Sequence, residues 1–321
     1  CRKGGGDPVI IDRRRFLAVA AGGYVASTAF PKLSLAANPT GVARHGLSAF
    51  GDLKYPEGFA AFDYANPDAP VGDTFNFQPW YWYFNQNTQT FNTLNAFVRR
   101  GDAPPRMEMC FDTLMAGAHD EPDAIYGHVA ESVTISEDGN RFTFVLRDIA
   151  RFHDGSPITA ADVKFSYDTL KAVGHPQLSL PLDPLTEVIE EDERTVTLVF
   201  DGTQSAQAIL SVAANYPIFS AAHYADRTFD ESTLDAPLGS GPYRVGDLNA
   251  GSFIEFQRVE DYWARAIGTG TGQNHFGAIR ICDGVFIRTI RRDSVRGLFV
   301  CYRPCPVMFV PVACLFILRV H

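Results

Sequence analysis

Between residues 129 and 172 the spacing of apolar positions changes period. Phe142, Phe144 and Leu146 alternate with Thr143, Val145 and Arg147, the two-residue period of a half-buried strand. Asp154-Gly155 and Ser156-Pro157 then supply turn chemistry. Beyond them Val163, Tyr167 and Leu170 fall on one side of a helix. Thr159 stands where that helix would begin, and Asp162 three residues on makes a variant of the capping box. An acid in the first turn also suits the positive end of the helix dipole. The stretch predicts strand, turn, loop, then a helix over 160–172.

The same reading extends along the chain. Thr74-Phe75-Asn76-Phe77 predicts a strand, 109–115 a helix or strand, and 129–135 a strand. Residues 136–140 form a hairpin turn into 141–147. Residues 187–191 and 194–200 pair around Glu191-Asp192-Glu193, a charge run that reads as a solvated turn. Residues 204–213 are helical by composition, and 216–218 are extended. Ile254, Phe256 and Arg258 continue as a strand that closes at Asp261-Tyr262-Trp263. Glu121-Pro122-Asp123 reads as a turn. Residues 268–272 read as a flexible loop, because their glycine spacing is not a dinucleotide fingerprint. Alternating strands and helices give an α/β or mixed α+β class.

Length and charge narrow the function. A chain of 321 residues, 46% hydrophobic, has room for two or three domains. Its net charge of −9 is uneven: residues 1–37 carry +4 and the segment from Cys282 onward +4, so the body between carries −17. An acidic body argues against nucleic acid or an anionic membrane surface as partner. Four of the six cysteines lie at Cys282 and beyond, and Cys110 is the one in the main body, so no disulfide framework is expected there. Their spacing matches no common zinc pattern, so neither metal nor cofactor is expected. Asp12-Arg13-Arg14-Arg15-Phe16-Leu17 precedes a small-residue, mildly apolar run, and Ser34-Leu35-Ala36 offers a cleavage site. Residues 1–36 therefore resemble a twin-arginine (Tat) export signal, which implies a periplasmic location. Residues 307–318 are too short and Pro-broken for a membrane span.

Two stretches carry candidate chemistry. Residues 79–87 are the most aromatic part of the chain, and Phe91-Asn92-Thr93-Leu94-Asn95 follows. Aromatics interleaved with amides can stack on and hydrogen-bond a peptide or sugar; they can equally be a packed core with surface amides. Ser240 lies between glycines, but G-x-S-x-G is absent and Pro242 follows at once; Gly239 and Gly241 read instead as permitting a tight crossover between subdomains. His45, His119, His128, His153, His175, His223 and His275 are scattered, and none sits in a metal or triad motif. No catalytic residue is expected.

Phe152-His153-Asp154-Gly155, Pro157-Ile158-Thr159-Ala160, Asp162-Val163, Phe165-Ser166 and Leu238-Gly239-Ser240-Gly241-Pro242-Tyr243 resemble the signature of family 5 solute-binding proteins. Segments from His45 to Pro70 resemble the family's YejA-like branch, which takes oligopeptides or peptide-like compounds. The likeness covers about 44–280. It implies a periplasmic-binding-protein type II fold, with two lobes around a cleft. Residues 37–110 and 237–280 would form the core of lobe I, and 111–236 its inserted subdomain. Lobe II would be largely missing, and 281–321 reads as an atypical tail, from truncation or a frameshift. The implied function is oligopeptide capture for an ABC importer, with no bond broken. The partners are the peptide and the permease and ATPase subunits, and the chain is expected to be a monomer. Ligand contact is carried over to Asn85, Phe91, Asn92 and Leu94, whereas His153 and Asp154 are expected to be structural. The alternatives are an exported hydrolase of peptides and a non-functional fragment.

Overall fold

The computed structural model describes residues 38–77, 84–87 and 90–282, and the backbone of 288–292 and 295–299. The Tat-type signal, the aromatic residues 78–83 and the tail beyond 299 lie outside the described residues.

Strands β1 (Ala43–Arg44), β2 (Gly46–Ser48) and β3 (Gly72–Phe77) precede β4 (Met115–Ala118), β5 (Glu121–Gly127), β6 (Ala130–Ile135) and β7 (Arg141–Leu146). Helices α1 (Ala160–Val173) and α2 (Pro176–Ser179) follow. Then come β8 (Leu185–Asp192), β9 (Thr195–Phe200), α3 (Ala206–Asn215), β10 (Tyr243–Asn249), β11 (Phe253–Arg258) and β12 (Phe276–Cys282). A hairpin of β13 (Arg288–Arg292) and β14 (Val295–Phe299) ends the described chain.

Three larger sheets result. The first is antiparallel, ordered β1-β6-β7-β9-β8. Its register sets Val133 beside Phe144 and Phe144 beside Val196, so the alternating positions read from the sequence form one buried stripe. Helix α1 packs on β8 and β9 and buries Val163, Tyr167 and Leu170 completely. Its start is the expected capping box: Asp162 Oδ2 accepts from Thr159 N at 2.8 Å and Thr159 Oγ1 at 2.7 Å.

The second sheet runs β2-β5-β4, and the third β10-β11-β12-β3 with β12 and β3 parallel. The third sheet joins residues 72–77 to 243–282, so the chain between β3 and β10, the two edge strands of that sheet, forms an inserted part. The early strands β1 and β2, by contrast, pair with β6 and β5. The leading segment therefore belongs to the sheets of the inserted part.

Two local expectations fail for packing reasons. Glu121-Pro122-Asp123 is the start of β5 rather than a turn; Pro sits where a strand begins and costs least. Residues 268–272 are a tied turn, with Gly270 N and Thr271 N donating to Ile267 O and the Thr269 side chain buried.

Candidate functional site

The inserted part returns to the third sheet through Gly239-Ser240-Gly241. These residues lie against 109–112: Ser240 N and Gly241 N both donate to Cys110 O, at 3.0 and 2.9 Å. A Cβ at 239 would stand 2.1 Å from Cys110 O, and one at 241 2.5 Å from Met109 O. Only glycine allows that approach. Ser240 Oγ accepts from Asp112 N at 2.9 Å and is no nucleophile in waiting. His153 completes the seam, with Nε2 donating to Gly241 O at 2.8 Å. Burial holds its imidazole below the ordinary histidine range, against the opposing pull of that hydrogen bond. Asp154 turns its own loop, accepting from Ser156 N and Oγ, and these bonds hold its carboxyl below the usual range.

Next to the seam lies the arrangement that most resembles a triad among the described residues. Asp112 Oδ1 accepts from Tyr262 Oη at 2.6 Å and lies 3.1 Å from His128 Nε2, while Oδ2 accepts from Trp263 Nε1 at 2.9 Å. His128 Nδ1 meets Thr269 Oγ1 at 2.9 Å. His128 is 7% exposed and Thr269 6%, so the hydroxyl has no open face for a substrate carbonyl. Burial, and Asp112 beside it, push the Tyr262 phenol far above its ordinary value. The network joins segments 112, 128 and 262–269 and acts as a fastening. No group of three or more His, Cys, Asp or Glu among the described residues could hold a metal ion.

The other feature is a cavity of about 340 Å³. Leu94, Phe97, Phe111, Phe219, Tyr224 and Phe229 line its apolar side. The backbone holds the two walls together, since Leu94 N donates to Thr233 O at 2.8 Å and Asn95 Nδ2 to Phe229 O at 2.6 Å. Helix α1 fixes the second wall: Asp162 Oδ1 accepts from Ala221 N, and Ser166 Oγ from Phe219 N. The mouth carries His223, Arg227, Thr228, Ser232 and Thr233. Burial, reinforced by Arg227, keeps the His223 ring below its ordinary range.

Of the four residues expected to touch ligand, Leu94 lines this cavity. Phe91 is buried in the core. Asn92 is exposed and binds Asp102 reciprocally through N and Oδ1. Asn85 Nδ2 donates to Asn95 O and Arg100 O, and its buried Oδ1 has no partner among the described residues. The amides here mostly pin a loop. Phe219, Tyr224 and Phe229 were not anticipated: spaced by five, they match neither the helical nor the strand period.

The seam, the inserted sheets and the return to β12 are recognisable elsewhere. Residues 124–293 match the family model described as "Bacterial extracellular solute-binding proteins, family 5 Middle". The chain belongs to this family. Its similar relatives include the probable peptide-binding protein YejA of Agrobacterium fabrum, 32% identical over 249 residues, or 76% of this chain and 39% of that protein. The peptidoglycan-binding protein YepA of the same organism is 28% identical, over 79% of this chain and 41% of its own. The chain thus spans about two fifths of the length of these curated relatives. Among solved structures, NikA of Brucella suis with Fe(III)-EDTA superposes with a TM-score of 0.51 at 19% identity, covering 66% of this chain and 39% of that one. AppA of Bacillus subtilis with a nonapeptide gives 0.51 at 16%, covering 66% and 40%. These likenesses establish the fold: mixed α/β, of the family 5 binding-protein kind. No helix among the described residues is long and apolar enough to cross a membrane.

Proposed function

We propose that this chain serves an exported binding protein that captures oligopeptides or peptide-like compounds for an ABC importer. The observation that carries the reading is the family match across the inserted sheets, in company with a relative named as a probable peptide-binding protein. Capture breaks no bond. It works by closure of two lobes, with ligand favouring the closed state. The peptide backbone is matched by strand-like hydrogen bonds, and the loop of Asn85, Phe91, Asn92 and Leu94 borders the ligand. Residues 1–36 direct export by the Tat route, and the loaded protein docks on the permease and ATPase subunits.

Calorimetry with a pool of tri- to octapeptides tests this, alongside a hydrolysis control on the same samples. The expected result is saturable heat with intact peptide. This chain supplies contacts over two fifths of its relatives' length, and lost contacts of about 4 kcal/mol move a micromolar site to millimolar. Binding in the millimolar range is therefore expected. Peptide cleavage that follows the protein through purification, or no heat even at tens of millimolar, refutes the reading.

A further inference from the structure

A pocket of about 340 Å³, open on one side, lies beside five aromatic rings, within the size range of small-ligand pockets. The rings are ordered against one another in advance. Phe97 and Phe111 meet edge-to-face at 5.4 Å and 82°, Phe111 and Phe219 at 5.0 Å and 71°, and Phe219 and Phe229 at 4.9 Å and 66°. Such a cluster extends favourably by one more ring, since edge meets face repeatedly. Tyr224 borders the cavity 5.0 Å from Phe229. Its hydroxyl makes no hydrogen bond within the described residues, and burial pushes the phenol up to about 12. It therefore keeps its proton and remains a free donor. The mouth offers the hydroxyls of Thr228, Ser232 and Thr233, which can meet a peptide backbone.

We infer that this cavity selects an aromatic side chain of the captured peptide, seated against the edges that Phe111, Phe229 and Tyr224 present to it, with the Tyr224 hydroxyl donating to a nearby ligand carbonyl. The inference rests on the peptide-capture reading for the identity of the ligand, but not for the aromatic preference. It adds selectivity to a mode of capture that backbone hydrogen bonding alone would leave indifferent to side chains.

The test uses two kinds of probe on the same isotope-labelled chain. N-acetyl-phenylalaninamide and N-acetyl-alaninamide report on the cavity alone. Gly-Phe-Gly and Gly-Gly-Gly report on the peptide. The phenylalanine probe should give saturable NMR shifts at residues 219–229 in the millimolar range, at least about tenfold tighter than the alanine probe. Thr228→Trp, at an exposed mouth position, should close the cavity and abolish the difference while leaving the remaining spectrum folded. Equal affinity for both probes, or an undiminished preference in Thr228→Trp, overturns the inference. Gly-Phe-Gly should bind more tightly than the capped amino acid. If it binds no better, peptide capture fails while the aromatic preference stands. If both tripeptides bind equally well and the capped probes do not discriminate, the preference fails while peptide capture stands.

Discussion

Residues 110–112 are shared by two regions built on opposite principles. Cys110 and Asp112 turn to the seam, where Cys110 O takes two backbone N–H groups and Asp112 takes the side chains of Tyr262 and Trp263. Phe111 turns to the cavity. At the seam the approaches are polar and paired, and Asp112, His128 and Ser240 are buried. At the cavity touching aromatic rings form one wall and polar side chains the mouth. A buried polar group left unpaired is costly, so a complete network such as Asp112–His128–Thr269 describes a fastening, whatever triad it resembles. A pocket that sets aromatic edges beside hydroxyls and an open mouth offers both apolar and polar contact. The distinction is open to experiment, and the perturbations below run from the largest expected effect to the smallest.

Gly239→Ala should be the most damaging. Its Cβ would need to occupy a point 2.1 Å from Cys110 O and 3.0 Å from His153 Cε1, and the first of these is backbone that cannot swing away. A loss of more than about 3 kcal/mol is expected, seen as a large drop in the urea midpoint or as failure to express. Wild-type stability in this variant would mean that the seam is loose. Asp112→Ala comes next. It leaves the Tyr262 hydroxyl and Trp263 indole N–H without their acceptor in a buried place, at a cost of about 3 kcal/mol. Neither change reaches the cavity walls directly, so any surviving folded fraction should keep its preference for the phenylalanine probe. A preference lost in proportion to stability would show that seam and cavity are one unit.

The seam and the inserted sheets were largely legible in the sequence, and the cavity was not. Phe142, Phe144 and Leu146 declare a strand because their spacing repeats, and Thr159 with Asp162 declares a helix start because capping is local. Gly239 and Gly241 could be read as a crossover because glycine is needed where backbones touch. The cavity has no such signature. Its rings come from 97, 111, 219, 224 and 229, brought together by pairings such as Leu94 with Thr233 that are more than a hundred residues long in sequence. Leu94 was singled out, but Phe91 and Asn92 beside it serve the core and the loop. Strand β12 escaped notice because its partner β3 lies some two hundred residues earlier.

On the cavity side the sharpest perturbation is Asp162→Ala. Its carboxylate closes the helix start and also holds Ala221 N at 2.8 Å, so its loss frees both the first turn of α1 and the wall bearing Phe219. About 2 kcal/mol of stability should go, and the phenylalanine probe should weaken with it. Thr159→Ala removes the hydroxyl that donates to the same carboxylate and takes the Asp162 backbone N–H in the capping box; Thr159 N and Ala221 N keep their acceptor. It should cost about 1 kcal/mol or less and leave probe affinity alone. Equal effects of the two substitutions on the probe would break the link from helix start to cavity wall.

The smallest effect concerns proton uptake at the seam. His153 is held below its ordinary value of 6.5 chiefly by burial, with Arg244 adding to the depression while the Gly241 carbonyl, Asp112 and Asp261 oppose it. His175 and His223 are depressed as well, again by burial first. Between the folded and unfolded values the unfolded chain binds more protons, so stability rises with pH there and is lost as pH falls below about 6.5. The depressed carboxylates Asp120, Asp138, Asp154, Asp192 and Asp201 start from 3.8. Their contribution is present above that value and falls away only below about pH 4, so the interval from pH 7 to 5 isolates the histidines. His153→Gln retains an N–H donor for Gly241 O but cannot take up a proton. Its stability at pH 7 should stay within about 1 kcal/mol of the parent, and from pH 7 to 5 its urea midpoint should fall less steeply. His175 and His223 remain in the variant, so a residual slope is expected. Identical slopes in the two proteins would show that His153 protonates in the folded state as freely as in the unfolded chain, and that the seam at Gly241 is open to water.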